Sequence, residues 1–257
     1  MAATTWAHDA LHHEALVRLF DNADVVLLDF DGPVCDLFRR GSTAHVAEEI
    51  KDMARRHWGF LDQAVQSCHD SHGILPLLGD MADKHDAQGS LSRRPLELAH
   101  SMVTRFERGA VKRARPTPHA EALLKRLAAL GKPVAIVSNN AEGPVNQYLE
   151  RRKLGPYVDV VCGRDPVEPR LMKPAPDLLF RALELLRRHE PHKALMIGDQ
   201  PTDLLAAKTA GTPFLGCPRD QRRAEEMERL DADCVVRSLK PVVLAVQELT
   251  SSPRLPV

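Results

Sequence analysis

A chain of 257 residues, 44% apolar and 27% charged, has the composition of a soluble globular protein, long enough for one large domain or a core with a smaller companion. Its 35 acidic and 35 basic side chains balance, which excludes a net field drawing it to nucleic acid or an anionic membrane, and no apolar run nears the roughly 18 residues of a membrane helix. The cysteines at 35, 68, 162, 217 and 234 lack metal or redox spacing, and the N-terminal stretch lacks a signal-peptide pattern, so a cytoplasmic setting with mostly buried thiols is expected.

Near the start, His8, His12 and His13 read as a solvated helix face. Val25 to Phe30 is short, branched and nearly continuous in apolar residues, the pattern of a buried strand. From about Leu37 to Arg115 no strand is convincing. Ala44 to Trp58 and Leu96 to Val111 carry apolar residues at helical spacing, with a shorter set around Ile74 to Met81. Arg115-Pro-Thr-Pro118 reads as a hinge, and the nearby basic run from Arg105 to Arg115 as a solvated face. Then helix and strand alternate. Helices are expected at about His119–Leu130, Pro176–His189 and Thr202–Ala210, and strands at Pro133–Val137, Tyr157–Cys162, Lys193–Ile197, Pro213–Gly216 and Cys234–Val236. That alternation predicts an α/β fold, a doubly wound parallel sheet with an inserted helical cap. Residues 1–36 and 116–257 form the expected core and 37–115 the cap, which is placed to act as a lid.

The chemistry sits where the strands end. Asp29 and Asp31, at i and i+2, share a strand face, and Gly32 permits a sharp departure of the chain. Convergent carboxylates can hold Mg²⁺, and one can attack phosphorus; an ordinary D-G turn is the alternative. Ser138-Asn139-Asn140 can cradle a phosphate or simply cap a helix. Lys173, in a loop stiffened by Pro174 and Pro176, can neutralise phosphate oxygens or be a plain surface lysine. Asp199 and Asp203 can complete a metal site, one directly and one through water; alternatively Asp203 is a helix-start acid.

Taken together, DFDG at 29–32, Ser138-Asn139, Lys173-Pro174 and GDQPTD at 198–203 resemble the haloacid dehalogenase-like hydrolase superfamily, in its phosphoglycolate-phosphatase-like branch with a helical cap after the first strand. The resemblance implies a Rossmann-like core with Asp29 as nucleophile and Asp31 as general acid and base. Ser138 and Lys173 would hold the phosphoryl group, aided by Gly32 and Asn139, and Asp29, Asp31, Asp199 and Asp203 would form a Mg²⁺ site. Arg39, Arg40 and His45, at the cap entrance, are candidates for specificity. Pro33 replaces a frequent Thr and Gln200 a frequent Ser. The expected partner is a small phosphorylated metabolite, with no nucleic acid or membrane and the oligomeric state open. Hydrolysis of a phosphomonoester is the leading expectation. Phosphotransfer, as in sugar-phosphate mutases, and a non-catalytic binding role on the same fold are the alternatives.

Overall fold

The computed structural model describes residues 13–38, 41–86 and 92–251. After a helix α1 (residues 13–22), four successive apolar residues leave strand β1 (Val25–Leu28) without a polar face, so it is stable only when both faces are covered. Val26 and Leu28 enter one apolar cluster, and Val25 and Leu27 the opposite one. The chain then makes a two-residue strand β2 (Cys35–Asp36) and four helices, α2 (Ala44–Trp58), α3 (Gln63–Ser67), α4 (Ile74–His85) and α5 (Arg94–Val111). It returns as β3 (Arg115–Pro116).

After α6 (Ala120–Ala129) come β4 (Val134–Val137), α7 (Glu142–Arg152) and β5 (Val160–Cys162). Next are α8 (Asp177–Leu185), β6 (Ala194–Gly198), α9 (Pro201–Ala210), β7 (Phe214–Gly216), α10 (Gln221–Arg229), β8 (Cys234–Val235) and α11 (Lys240–Ser251). The sheet is parallel, in the order β5-β4-β1-β6-β7-β8. From β1 the chain builds one side, then crosses to build the other. That reversal opens a crevice at the carboxyl ends of β1, β4 and β6, where open α/β sheets take ligands.

One sheet face is covered by α1, α6, α7 and α11, through residues such as Phe20, Leu123, Tyr148 and Val246. The other is covered by α8, α9 and α10, through Leu179, Leu204 and Met227. Each large apolar side chain buried there contributes about 1.5–3 kcal/mol. The inserted helices have an apolar cluster of their own, built on Ile50, Leu78 and Val103 and reaching the core through Met172. Among the described residues, no helix is long and apolar enough to cross a membrane.

Three expectations change. The strand expected from Tyr157 begins at Val160, because Gly155–Tyr157 takes a 3-10 turn. The helix expected to reach His189 stops at Leu185, and Arg187 takes a positive φ of 55°. The stretch read as a strandless insertion with a hinge is stitched at its base, where β2 pairs antiparallel with β3, Cys35 opposite Pro116 and Asp36 opposite Arg115.

Candidate active site

The Asp29 N–H still donates to the Ile197 carbonyl at 2.9 Å, so the sheet itself fixes where its side chain starts. The Lys173 ammonium reaches that carboxylate at 2.8 Å, donates to the Val137 carbonyl at 2.9 Å and meets Asp203 Oδ1 at 2.6 Å. Its three donors are thus spent on the ends of three elements, β1, β4 and α9. Burial raises Asp29 to about 7, with Lys173 pulling it down and Asp203 and Asp31 pushing it further up. Burial opposes the Lys173 charge too, but Asp203 and Asp29 outweigh it and hold the ammonium protonated.

Asp199 follows β6 and is fully buried. Its Oδ1 has no hydrogen-bond partner, and its Oδ2 faces Arg219 Nε at 3.1 Å and Arg223 Nη1 at 3.2 Å. Burial pushes its carboxyl well above the usual range, with Asp29 adding and Arg219 opposing. One oxygen each of Asp29, Asp199 and Asp203 lie within 4.8 Å of one another. A buried, unpartnered carboxylate oxygen inside a set of hard oxygen donors fits a divalent cation. Asp203 is held by helix-start geometry, since its Oδ2 accepts the Gln200 N–H at 3.0 Å in a capping box on α9.

Glycine is required at two positions. A Cβ on Gly32, which has φ of 132°, would lie 2.4 Å from Asp199 Cγ, and one on Gly198 would lie 2.4 Å from Asp203 Cβ. The acids approach the backbone more closely than any side chain allows.

Other expected site residues are employed differently. The Gly32 N–H donates to the Cys35 carbonyl at 2.7 Å, so it is committed to the turn. Asn139 uses its whole amide on the Lys173 backbone, donating to its carbonyl at 2.9 Å and accepting its N–H at 2.8 Å. It clamps the lysine loop. The Asp31 carboxylate lies outside the acidic cluster: its Oδ1 accepts the Leu37 N–H at 2.8 Å and pairs with Arg219. Ser138 is buried and bonds Asn140, its Oγ donating to Oδ1 at 3.0 Å and accepting the N–H at 3.2 Å. His45 is exposed, its ring edge against Phe106 with centroids 5.2 Å apart, and it does not line the cleft. Arg39, Arg40, His8 and His12 lie outside the described residues.

A cleft of about 1010 Å³ joins this site to the inserted helices, lined by Asp29, Asp31, Ser138 and Lys173 on the core side and by His72 on the other. Sequence reasoning missed two parts of it. Arg219 lies in the loop after β7, at the same carboxyl edge of the sheet as the acids. Its guanidinium pairs with Asp31, Asp36 and Asp199. The second part is a buried network on Glu107 of α5. Its carboxylate meets His72 Nε2 at 2.8 Å and Arg164 Nη1 at 2.5 Å, and accepts from Asn140 Nδ2 at 3.1 Å and the Ala141 N–H at 3.2 Å. Burial would raise Glu107, yet the His72 bond and the Arg164 charge bring it down to about 2. The signal was an acid on the buried face of α5, four residues after Val103 and three before Ala110.

The fold and the clustered carboxylates define a doubly wound α/β enzyme with its acidic site at the sheet's switch point. The chain belongs to the haloacid dehalogenase-like hydrolases, whose family model matches residues 23–211. It is 28% identical over 227 residues to the phosphoglycolate phosphatase of Yersinia pseudotuberculosis, covering 86% of this chain and 92% of that one. Among solved structures, a protein of Clostridium acetobutylicum described as a predicted phosphatase superposes with a TM-score of 0.60 at 20% identity, over 87% of this chain and 98% of that one. CbbY of Rhodobacter sphaeroides, solved in complex with phosphate, gives 0.56 at 19% identity, over 84% and 94%.

Proposed function

We propose that the chain is a Mg²⁺-dependent phosphatase that hydrolyses a small phosphomonoester through an aspartyl-phosphate on Asp29. The observation that carries this is the Lys173 ammonium wedged between Asp29 and Asp203 at the switch point. It offers positive charge where phosphoryl oxygens would sit. The relative named for phosphoglycolate supports a phosphomonoester as the substrate class.

In the proposed reaction an Asp29 oxygen attacks phosphorus and the bond to the leaving oxygen breaks. Asp31, which lines the same cleft and whose Leu37 and Arg219 contacts both fall on Oδ1, gives that oxygen a proton from Oδ2. The Asp31 carboxylate then takes a proton from water, whose oxygen attacks the aspartyl-phosphate and releases inorganic phosphate and free Asp29. Asp29 and Asp199, with Asp203 in support, would hold Mg²⁺, which would supply positive charge to keep Asp29 ionised and neutralise the phosphoryl oxygens. Lys173 meets the phosphoryl oxygens with its charge, and the Ser138 hydroxyl bonds them after turning from Asn140 Oδ1. The inserted helices serve as a cap that limits water and contacts the rest of the substrate.

The test is turnover on a panel of phosphoesters with Mg²⁺, 2-phosphoglycolate included, followed by phosphate release and product identity. Free phosphate with no isomer is the expected result. An isomerised phosphoester would make the chain a phosphotransferase, and silence across the panel would make it a binding protein.

A further inference from the structure

Arg219 occupies an unusual position for a cation. It sits beside a cluster that suits a divalent ion, with its side chain only 18% exposed. Each part of its fork is assigned to a different acid: Nη2 to Asp31, Nη1 to Asp36 at 3.0 Å and Nε to Asp199 at 3.1 Å. Nη2 also donates to the Cys35 carbonyl at 3.4 Å. Asp31 and Asp36 flank the departure of the chain into the inserted helices, while Asp199 belongs to β6 and Arg219 itself to the loop after β7. One side chain therefore joins three segments of the chain by charge. A guanidinium cannot shed its proton here, so its charge is permanent.

The division of labour on Asp199 gives this arrangement its consequence. Arg219 and Arg223 take Oδ2, and Oδ1 stays without a partner. A metal at Oδ1 and the guanidinium at Oδ2 can then share one carboxylate, so Arg219 need not leave when the ion enters. The two cations repel across that carboxylate, in a buried setting where solvent screens them weakly.

We infer that Arg219 is the resident counter-cation of this acidic site: it holds Asp31, Asp36 and Asp199 together without a metal, and its charge lowers the affinity for the divalent ion. Arg219 is a positioning residue, since it acts through those acids. The inference rests on the reading of Asp29, Asp199 and Asp203 as the metal site.

The experiment is calorimetric titration of metal-free wild type, Arg219→Gln and Arg219→Lys with Mn²⁺, together with their thermal unfolding in chelator and in excess Mn²⁺. Arg219→Gln is expected to bind Mn²⁺ roughly tenfold more tightly, the effect of removing one nearby charge. It is also expected to melt lower in chelator and to gain more from Mn²⁺ than wild type does. Arg219→Lys keeps the charge and is expected to stay within about twofold of wild type, a result that carries the test if the glutamine variant does not fold. A purely structural clamp gives the opposite sign, so unchanged or weaker binding by folded Arg219→Gln overturns the inference. So does a tenfold change in either direction for Arg219→Lys. Wild type that binds no Mn²⁺ overturns the metal reading and this inference together. Wild type with the expected affinity pattern but no phosphoester turnover overturns only the proposed function.

Discussion

At the scale of single residues, the proximity of Asp29, Asp199 and Asp203 was readable because chemistry and topology both constrain them, whereas Asp31, expected among them, turns to Leu37 and Arg219. Asp29, Lys173, Asp199 and Asp203 follow strands or open helices at the edge where a doubly wound sheet binds ligands, so a one-dimensional pattern named a three-dimensional cluster. Side-chain direction was not readable. Asn139 and Gly32 stand beside the phosphate loop in sequence, yet their polar groups are spent on the Lys173 and Cys35 backbones. Two substitutions test this scale. Asp29→Asn should fold normally and turn over below about 1% of wild type on every phosphoester, because an amide is a poor nucleophile; stopped assays on a sample with wild-type circular dichroism check it. Gly32→Ala should cost about 1–3 kcal/mol in urea unfolding, from the strained φ and from displacing Asp199, whose Cγ lies 2.4 Å from the added carbon. The same variant should lose divalent-ion binding in calorimetry.

Apart from the late start of β5, the strands of the sheet were legible to within a residue or two because continuous apolar runs and glycine stops leave little choice, as at Val134–Val137 and at Gly131 after α6. The β2–β3 pair was hidden: two residues per strand show no alternation, and the pairing is between residues far apart in the chain. Helix α5 shows how a legible element can hold an illegible contact. Its apolar face was plain, but Glu107 on that face finds its partners in Arg164 and Asn140 of the core. Glu107→Gln leaves the Arg164 guanidinium buried without a counter-charge, and should cost about 3 kcal/mol or more near neutral pH. The pH dependence follows from the lowered pKa. Glu107 binds its proton less readily when folded than when unfolded, so its contribution is complete above its ordinary 4.5 and fades as pH falls toward about 2. The stability gap between wild type and Glu107→Gln in urea titrations should therefore narrow across that window.

Taken whole, the molecule is a sheet-based core and a helical unit with separate apolar clusters, sharing a cleft of about 1010 Å³ at the upper end of the range for small-molecule sites. Chelation after dialysis should abolish turnover and lower the melting temperature, since it removes an ion that binds the folded acids Asp29, Asp199 and Asp203; Mg²⁺ should restore both. A cleft roofed by helices suits small substrates, so phosphoproteins should turn over far more slowly than the best small phosphoester. His72, held toward the cleft by Glu107, is the cap-side position where His72→Ala should reorder the substrate panel while leaving burst labelling of Asp29 by a generic aryl phosphate largely intact. Quench-flow on both substrates reads that difference. The inserted helices' side of the cleft was the least legible part, because those helices carry no chemical motif and their side chains are set by packing between helices distant in sequence.

The short ribbon of β2 and β3 bears on how such a chain can be rebuilt. Because Cys35 faces Pro116 and Asp36 faces Arg115, the excursion begins and ends at neighbouring points. The entropy of closing a loop grows only with the logarithm of its length, so exchanging everything between those two pairs for a longer or shorter helical segment changes the closure term by about 1 kcal/mol or less for each twofold change in length. The ribbon is thus a socket. A different set of helices spliced at Asp36 and Arg115 would meet the same acidic cluster beneath it, and a lineage could trade substrates by exchanging modules while its strand ends stay fixed.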